Sequence, residues 1–158
     1  MEETVKAAQQ IIASNIYMTI ATADESGKPW ISPVFFAYDV SYNLFWVSSK
    51  NALHSTNIAK RSQVAIVIFD STLPEGAGTG VYFDCEATAL TDEAEIVMGI
   101  ALMSARVTMD EFRVHDINEV SGTGEWRIYK AIPKSVSKLT GGTIVNGQYV
   151  DERMDITL

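Results

Sequence analysis

Three strand-like segments follow one another in the first third of the chain with almost nothing between them. Tyr17–Ala23 is rich in β-branched residues, Trp30–Asp39 reads as the next strand, and Leu44–Ser49 as a third. The turn cluster Asp24-Glu25-Ser26-Gly27-Lys28 separates the first two, and Tyr42-Asn43 marks a tight reversal before the third. A parallel connection needs a crossover of a dozen or more residues, so links this short force an antiparallel meander. That constraint organises everything downstream.

The remaining segments extend the same sheet. Val64–Phe69 is an unbroken apolar run that reads as a strand buried on both faces. In Val81–Leu90, Val81, Phe83, Cys85, Ala87 and Ala89 fall on one side and Tyr82, Asp84, Glu86 and Thr88 on the other, the pattern of a half-buried strand. Trp126–Ile132 is a final core strand, with Pro133 limiting its extension. Asn146-Gly147 between Ile144-Val145 and Tyr149-Val150 predicts a terminal hairpin over about 143–156. Helices are expected over 3–14 (Val5, Ala8 and Ile12 on one stripe), over 52–61, and over Asp92–Ser104 with Val97, Ile100, Ala101 and Ser104 on one face. Thr108-Met109-Asp110-Glu111 fits a capping box for a further short helix. Thr72–Gly80, with Pro74 and three glycines, is a loop. The expected fold is mainly β: a six-stranded antiparallel split barrel of Greek-key type with short peripheral helices, one domain over 1–158.

Composition narrows the function classes. The net charge of −8 argues against general nucleic-acid binding, which needs a phosphate-neutralising basic face. Cys85 is the only cysteine, so no intrachain disulfide and no cysteine-rich metal site are expected. With His54 and His115 as the only histidines, no metal site is expected either. The absence of a long apolar run or a signal-like start points to a cytoplasmic protein with no membrane span. There is no P-loop, dinucleotide fingerprint or nucleophile elbow.

One stretch carries candidate chemistry. After Trp46, the residues Val47, Ser48, Ser49, Lys50 and Asn51 run into a helix start that holds His54. Hydroxyls, a lysine and the free N–H groups of a helix N-terminus suit a phosphate or other small anion. Read from the residues alone, the same hydroxyls serve equally well as helix caps, and Lys50 as a solvated charge. Likewise Pro33, Val34 and Phe35, mid-strand, suit either a ligand-edging backbone or core packing. Pro33, having no N–H, belongs at a sheet edge.

The order of these segments resembles the FMN-binding split-barrel family typified by pyridoxamine 5′-phosphate oxidase. The likeness rests on Ile20-Ala21-Thr22-Ala23 with Gly27-Lys28-Pro29-Trp30; on Phe45–Ser49 running into His54-Ser55-Thr56-Asn57-Ile58 and Gln63–Val67; and on Trp126–Pro133, covering about residues 10–135. The resemblance implies bound FMN, with its phosphate near Val47, Ser48, Ser49, Lys50 and His54. It places the ring along Ser32, Pro33, Val34 and Phe35, with Trp126 and Lys130 of a second subunit closing the pocket of a homodimer. It implies an FMN-dependent oxidoreductase acting on a small-molecule substrate, with catalytic residues unassigned. The alternative is a non-catalytic flavin, haem or deazaflavin binding protein, or a stress-related protein, of the same fold. Three positions depart from the oxidase pattern: His54 stands for a lysine, and Ser32 and Lys130 stand for arginines. The oxidase's Arg-x-His-Asp-Arg substrate motif is absent, since Val114-His115-Asp116 lacks the motif's pair of flanking arginines. The six aromatics Trp30, Phe35, Phe36, Tyr38, Phe45 and Trp46 exceed one small interior, so part of this set is expected to pack against the partner.

Overall fold

The computed structural model describes residues 1–158. Its strands are β1 (Tyr17–Ala23), β2 (Pro29–Phe35), β3 (Ala37–Tyr38), β4 (Leu44–Ser49), β5 (Gln63–Phe69), β6 (Gly80–Ala89), β7 (Trp126–Val145) and β8 (Gln148–Asp155). The helices are α1 (Glu2–Ser14), α2 (Leu53–Lys60) and α3 (Glu93–Arg106), with two single 3₁₀ turns between α3 and β7. All strands belong to one antiparallel sheet in the order β2-β1-β5-β6-β7-β4-β3, with β8 paired to β7. This is the mainly β, split-barrel architecture that the short links demand. The expected six core strands are β1, β2, β4, β5, β6 and β7; β3 and β8 are additions.

The first addition has a clear cause. The expected strand Trp30–Asp39 breaks at Phe36. Before the break it pairs with β1, and after it with β4. The two ends of the sheet are therefore consecutive pieces of chain, joined through one buried residue, and the sheet has to curl. Ile20 of β1, Val34 of β2 and Trp46 of β4 accordingly share a single apolar interior. No ladder joins β2 to β4, so a seam remains between them. Pro33 lies on β2, an edge strand, where its missing N–H costs no ladder bond.

β7 corrects the reading of Pro133 as a stop. The strand runs on to Val145, because Pro133 sits where β7 has left β4 and has not yet met β8. A β-bulge places Pro133 opposite Cys85 and Ser135 opposite Asp84, leaving Lys134 unpaired in the register. The terminal hairpin turns at Asn146 (φ 51°) and Gly147 (φ 77°), the paired positive φ values of a type I′ turn.

Alternation reads correctly for β6, where Val81, Phe83, Cys85 and Ala87 are buried. It corrects β5: Val64, Ile66 and Ile68 face the interior, but Ala65 and Phe69 are exposed, since no helix covers that side. The outer face of β2, β1 and β5 thus presents Ile31, Pro33, Ala21 and Ala65 without a single charge. α1 packs Ala8 and Ile12 into the interior and leads into the start of β1. α2 is bonded near the other end of β1, through Asn57 Nδ2 to Thr22 Oγ1 (3.0 Å). α3, capped by Asp92 accepting from Glu95 N (3.0 Å), lies on the outside of β4 and β7. It buries Ile96, Gly99 and Met103 rather than the expected Val97 and Ala101. Gly99 decides this: a Cβ there would stand 2.9 Å from Ile128 Cγ2, so the helix approaches the sheet through its smallest residue. That helix, not a partner chain, buries Phe45. Phe36 and Trp46 are buried in the interior, whereas Trp30 is 45% exposed.

The expected helix at Thr108–Glu111 is only a 3₁₀ turn, Asp110–Phe112, without a capping bond. The capping box sits one turn later: Asp116 Oδ1 accepts from Asn118 N, and Glu119 Oε1 from Asp116 N (2.9 Å). Cys85 is buried in β6, and burial, with Asp84 beside it, pushes its thiol up to about 12. Native protein at neutral pH should therefore resist iodoacetamide, with labelling only on unfolding. Rapid labelling under native conditions would contradict this placement.

Candidate functional site

Residues facing outward on β2 and β4 meet the end of α3 in a groove of about 460 Å³. Phe35, Val47 and Trp126 line it, so three of the expected site residues, from three different strands, come together within one chain, whereas the resemblance placed Trp126 in the partner subunit's pocket. The far wall is Met103, Val107, Met109 and Phe112, from the end of α3 and the segment after it. Those four were not anticipated. The available signal was Met109 and Phe112, two large apolar residues in the mostly polar stretch Thr108–Asp116. Trp126 is 46% exposed, an aromatic wall with one face open. The groove's size and apolar lining with a few polar groups (Ser104, Arg113, Glu119) are those of a small-molecule site.

Strand alternation sorts the expected anion-binding residues into two sets. Val47 and Ser49 share the outward side of β4 with Phe45, in line with the groove, whereas Ser48 turns inward. His54, 9% exposed, bonds through Nε2 to Ser48 Oγ (2.9 Å) beneath α2. Burial lowers the His54 pKa, favouring the neutral imidazole. Lys50 donates to the carbonyls of Gly124 (2.9 Å) and Thr123 (3.3 Å). Arg127 holds the same loop through Gly122, Gly124 (2.8 Å) and Trp126 carbonyls. That loop is tight: a Cβ on Gly124 would fall 2.3 Å from Asn118 O. Ser32 accepts from Trp30 Nε1 (3.1 Å) at the edge of β2, Pro33 is exposed, and Val34 is core. Lys130 lies outside the groove. It is paired with Glu95 of α3 (3.0 Å) above the Phe45 ring, so its charge is already engaged within its own chain.

The start of α2 itself is uncapped. Ala52 is the N-cap residue and offers no side-chain acceptor, while Asn51 N bonds to Ser49 Oγ (3.2 Å). The first N–H groups of such a helix have no intrahelical acceptor, which is the local chemistry an anion satisfies. α2 also has a polar underside that periodicity did not reveal: His54, Ser55 and Asn57 are buried while Leu53 is exposed. No group of three His, Cys, Asp or Glu residues is arranged to hold a metal ion. No helix is long and apolar enough to cross a membrane.

Against this geometry, the comparison with known proteins is decisive for family. The sequence matches the model of the pyridoxamine 5′-phosphate oxidase family over residues 4–131. The chain belongs to that family. No curated protein matches it by sequence. Among solved structures, HutZ, the haem storage protein of Vibrio cholerae, is 21% identical, with a TM-score of 0.68 over 83% of this chain and 90% of that one. A haem-binding protein of Mycobacterium smegmatis is 19% identical, with a TM-score of 0.71 over 94% of this chain and 57% of that one. Campylobacter jejuni ChuZ is 14% identical, with a TM-score of 0.69 over 94% and 62%. The family member described here thus spans little more than half of the mycobacterial protein and under two thirds of ChuZ. At these identities the likeness is one of fold.

Proposed function

We propose that this family member binds FMN and serves as an oxidoreductase on a small-molecule substrate. The observation that carries the reading is the meeting of Phe35, Val47 and Trp126 in one apolar groove, from which β4 leads directly to the uncapped start of α2. In this arrangement the groove takes the flavin ring. Ser49 and the first amides of α2 take the phosphate, with the buried Ser48–His54 pair behind them on the inner side of β4. FMN, when bound, supplies hydride acceptance and electron transfer onward. The chain's own contribution is to bind, orient and exclude water: Trp126 and Phe35 press on the ring, and the wall from Met103 to Phe112 keeps the groove dry. A homodimer completes the site in this reading. The uncharged outer face of β2, β1 and β5 and the open side of Trp126 support it.

The test is the visible spectrum of purified protein with mass measurement of the released ligand, followed by FMN titration. His54 supplies a sign-specific check. Its folded pKa lies below 6.5, so its contribution to stability is full above pH 6.5 and is lost as pH falls from there towards the folded value. A phosphate dianion in front of the Ser48–His54 pair opposes that shift. NMR titration should therefore show the His54 pKa rising when FMN binds, and His54→Gln with Ser49→Ala should weaken binding. An unmoved His54 and unchanged affinity would show that the phosphate lies elsewhere. Protein that is colourless and takes up no FMN would remove the flavin reading.

The structural neighbours named for haem support a second occupant of the same groove. His115 follows Val114, which lines the groove, and is itself exposed, with Nε2 only 3.3 Å from Asp110 O. A Soret band on adding haemin, lost in His115→Ala, would favour haem over FMN.

A further inference from the structure

On β7, Trp126 and Arg127 point to opposite faces, and Arg127 enters a second cleft that shares no lining residue with the groove. We propose that this cleft, of about 470 Å³ between α2 and the β6–β7 ladder, is a separate binding site for a small organic phosphate monoester.

Charge is the first argument. The chain has 20 acidic and 12 basic residues, yet the cleft is lined by Lys50, Lys60 and Arg127 and by no carboxylate. Lys50 and Arg127 have no acidic partner anywhere; their bonds go to the backbone carbonyls of the 122–126 loop. Carbonyls fix these cations in place without neutralising them. Lys60 is paired with Glu25 (2.8 Å), but both side chains are more than half exposed, and such a pair gives way readily to a dianion. Arginine adds the bidentate geometry that phosphate accepts.

Ser55 is the second and independent argument. It is 2% exposed, lines this cleft, and its Oγ has no hydrogen-bond partner. A buried hydroxyl left unpaired is destabilising, and a ligand oxygen in the cleft relieves it. Ile58 and Tyr129 supply an apolar wall, so the anion should carry an organic body rather than be a bare ion. The site does not depend on flavin binding.

The test is a ¹H–¹⁵N titration with phenyl phosphate, and with inorganic phosphate and phenol as separate probes. Phenyl phosphate should give saturable shifts at the amides of Ser55, Ile58, Thr88 and Ala89. Inorganic phosphate should act more weakly, and phenol should have no effect. Arg127→Gln should weaken binding by about tenfold or more, given the strength of a bidentate phosphate contact. Arg127 also holds a loop, so Lys60→Gln and Ser55→Ala provide the cleaner variants. Both should weaken binding, the second with an unchanged or raised thermal midpoint because the unpaired hydroxyl is gone. The proposal is overturned if the shifts fail to saturate, if they map to Phe35, Val47 and Trp126 instead, or if Lys60→Gln and Ser55→Ala leave the affinity unchanged. It is equally overturned if excess riboflavin, which carries the flavin ring without a phosphate, abolishes the shifts at Thr88 and Ala89, since the cleft would then be part of the cofactor site.

Discussion

Truncating Trp46 to alanine should cost about 3–5 kcal/mol of folding stability, the largest single effect expected in this protein. Trp46 is fully buried in the interior, opposite Tyr129 in the β4–β7 register, with the two rings stacked at 5.4 Å and 16°. Its stacking partner Tyr129 sits on β7, which is held by ladders to β4 and β6, so that strand cannot move in to close the void. The indole also carries a liability: its Nε1 is buried without a partner. Phenylalanine at this position removes that unsatisfied donor and keeps much of the stack, so Trp46→Phe should cost well under half as much as Trp46→Ala. Urea unfolding decides both, read as a shift in midpoint at unchanged slope. A loss below about 1 kcal/mol for Trp46→Ala would mean that the interior repacks more freely than a curled sheet allows.

Arg106 should be the second most sensitive position. Its guanidinium lies over the rings of Phe36 (4.7 Å) and Tyr38 (5.3 Å), and donates through Nη2 to Asn15 O (2.6 Å). One residue therefore ties the end of α3 to the end of α1 and to the break between β2 and β3. No carboxylate pairs with it, Nη1 has no partner, and burial lowers its pKa. Arg106→Ala should destabilise by about 2–4 kcal/mol through lost stacking, packing and the Asn15 bond together. Methionine keeps the apolar stem against the rings and removes an unpaired buried charge, so Arg106→Met should lose clearly less. Lysine keeps the charge but cannot stack its ammonium flat on Phe36 while reaching Asn15, so Arg106→Lys should resemble the alanine variant. If Arg106→Lys proves clearly more stable than Arg106→Met, the charge itself is the stabilising element.

Local rules were legible where they act alone. Period-2 alternation found the inward set of β6 because that strand has one wet face and one dry face. Asn146-Gly147 declared its turn because few residues tolerate two successive positive φ values. Legibility failed where tertiary neighbours decide. The run Val64–Phe69 looked buried on both sides, but whether a helix covers a strand's outer face is not written in that strand. The seated face of α3 was misjudged because most of its side chains are apolar, and the deciding residue, Gly99, has no hydrophobicity to read. The break at Phe36 left no mark because both sides of it remain extended.

The candidate site divided in the same way. Phe35, Val47 and Trp126 were expected at the site through family likeness, and the structure brings them into one groove. Ser48 and Ser49 looked like one hydroxyl pair, yet strand alternation sends them to opposite faces. His54 reads as a surface histidine on a short helix until its bond to Ser48 draws it inside.

The pairing of Leu44 with Ala131 also has a kinetic consequence. β4 has only the two-residue β3 on one side, and its other edge stays open until the far end of the chain has been made. During synthesis, Leu44–Ser49 is an apolar strand with unpaired amides and carbonyls, waiting for a partner encoded long afterwards. Loop-closure entropy makes that late ladder slow to form. The nascent chain is thus most vulnerable to mispairing and aggregation at the very strand that leads to its candidate site.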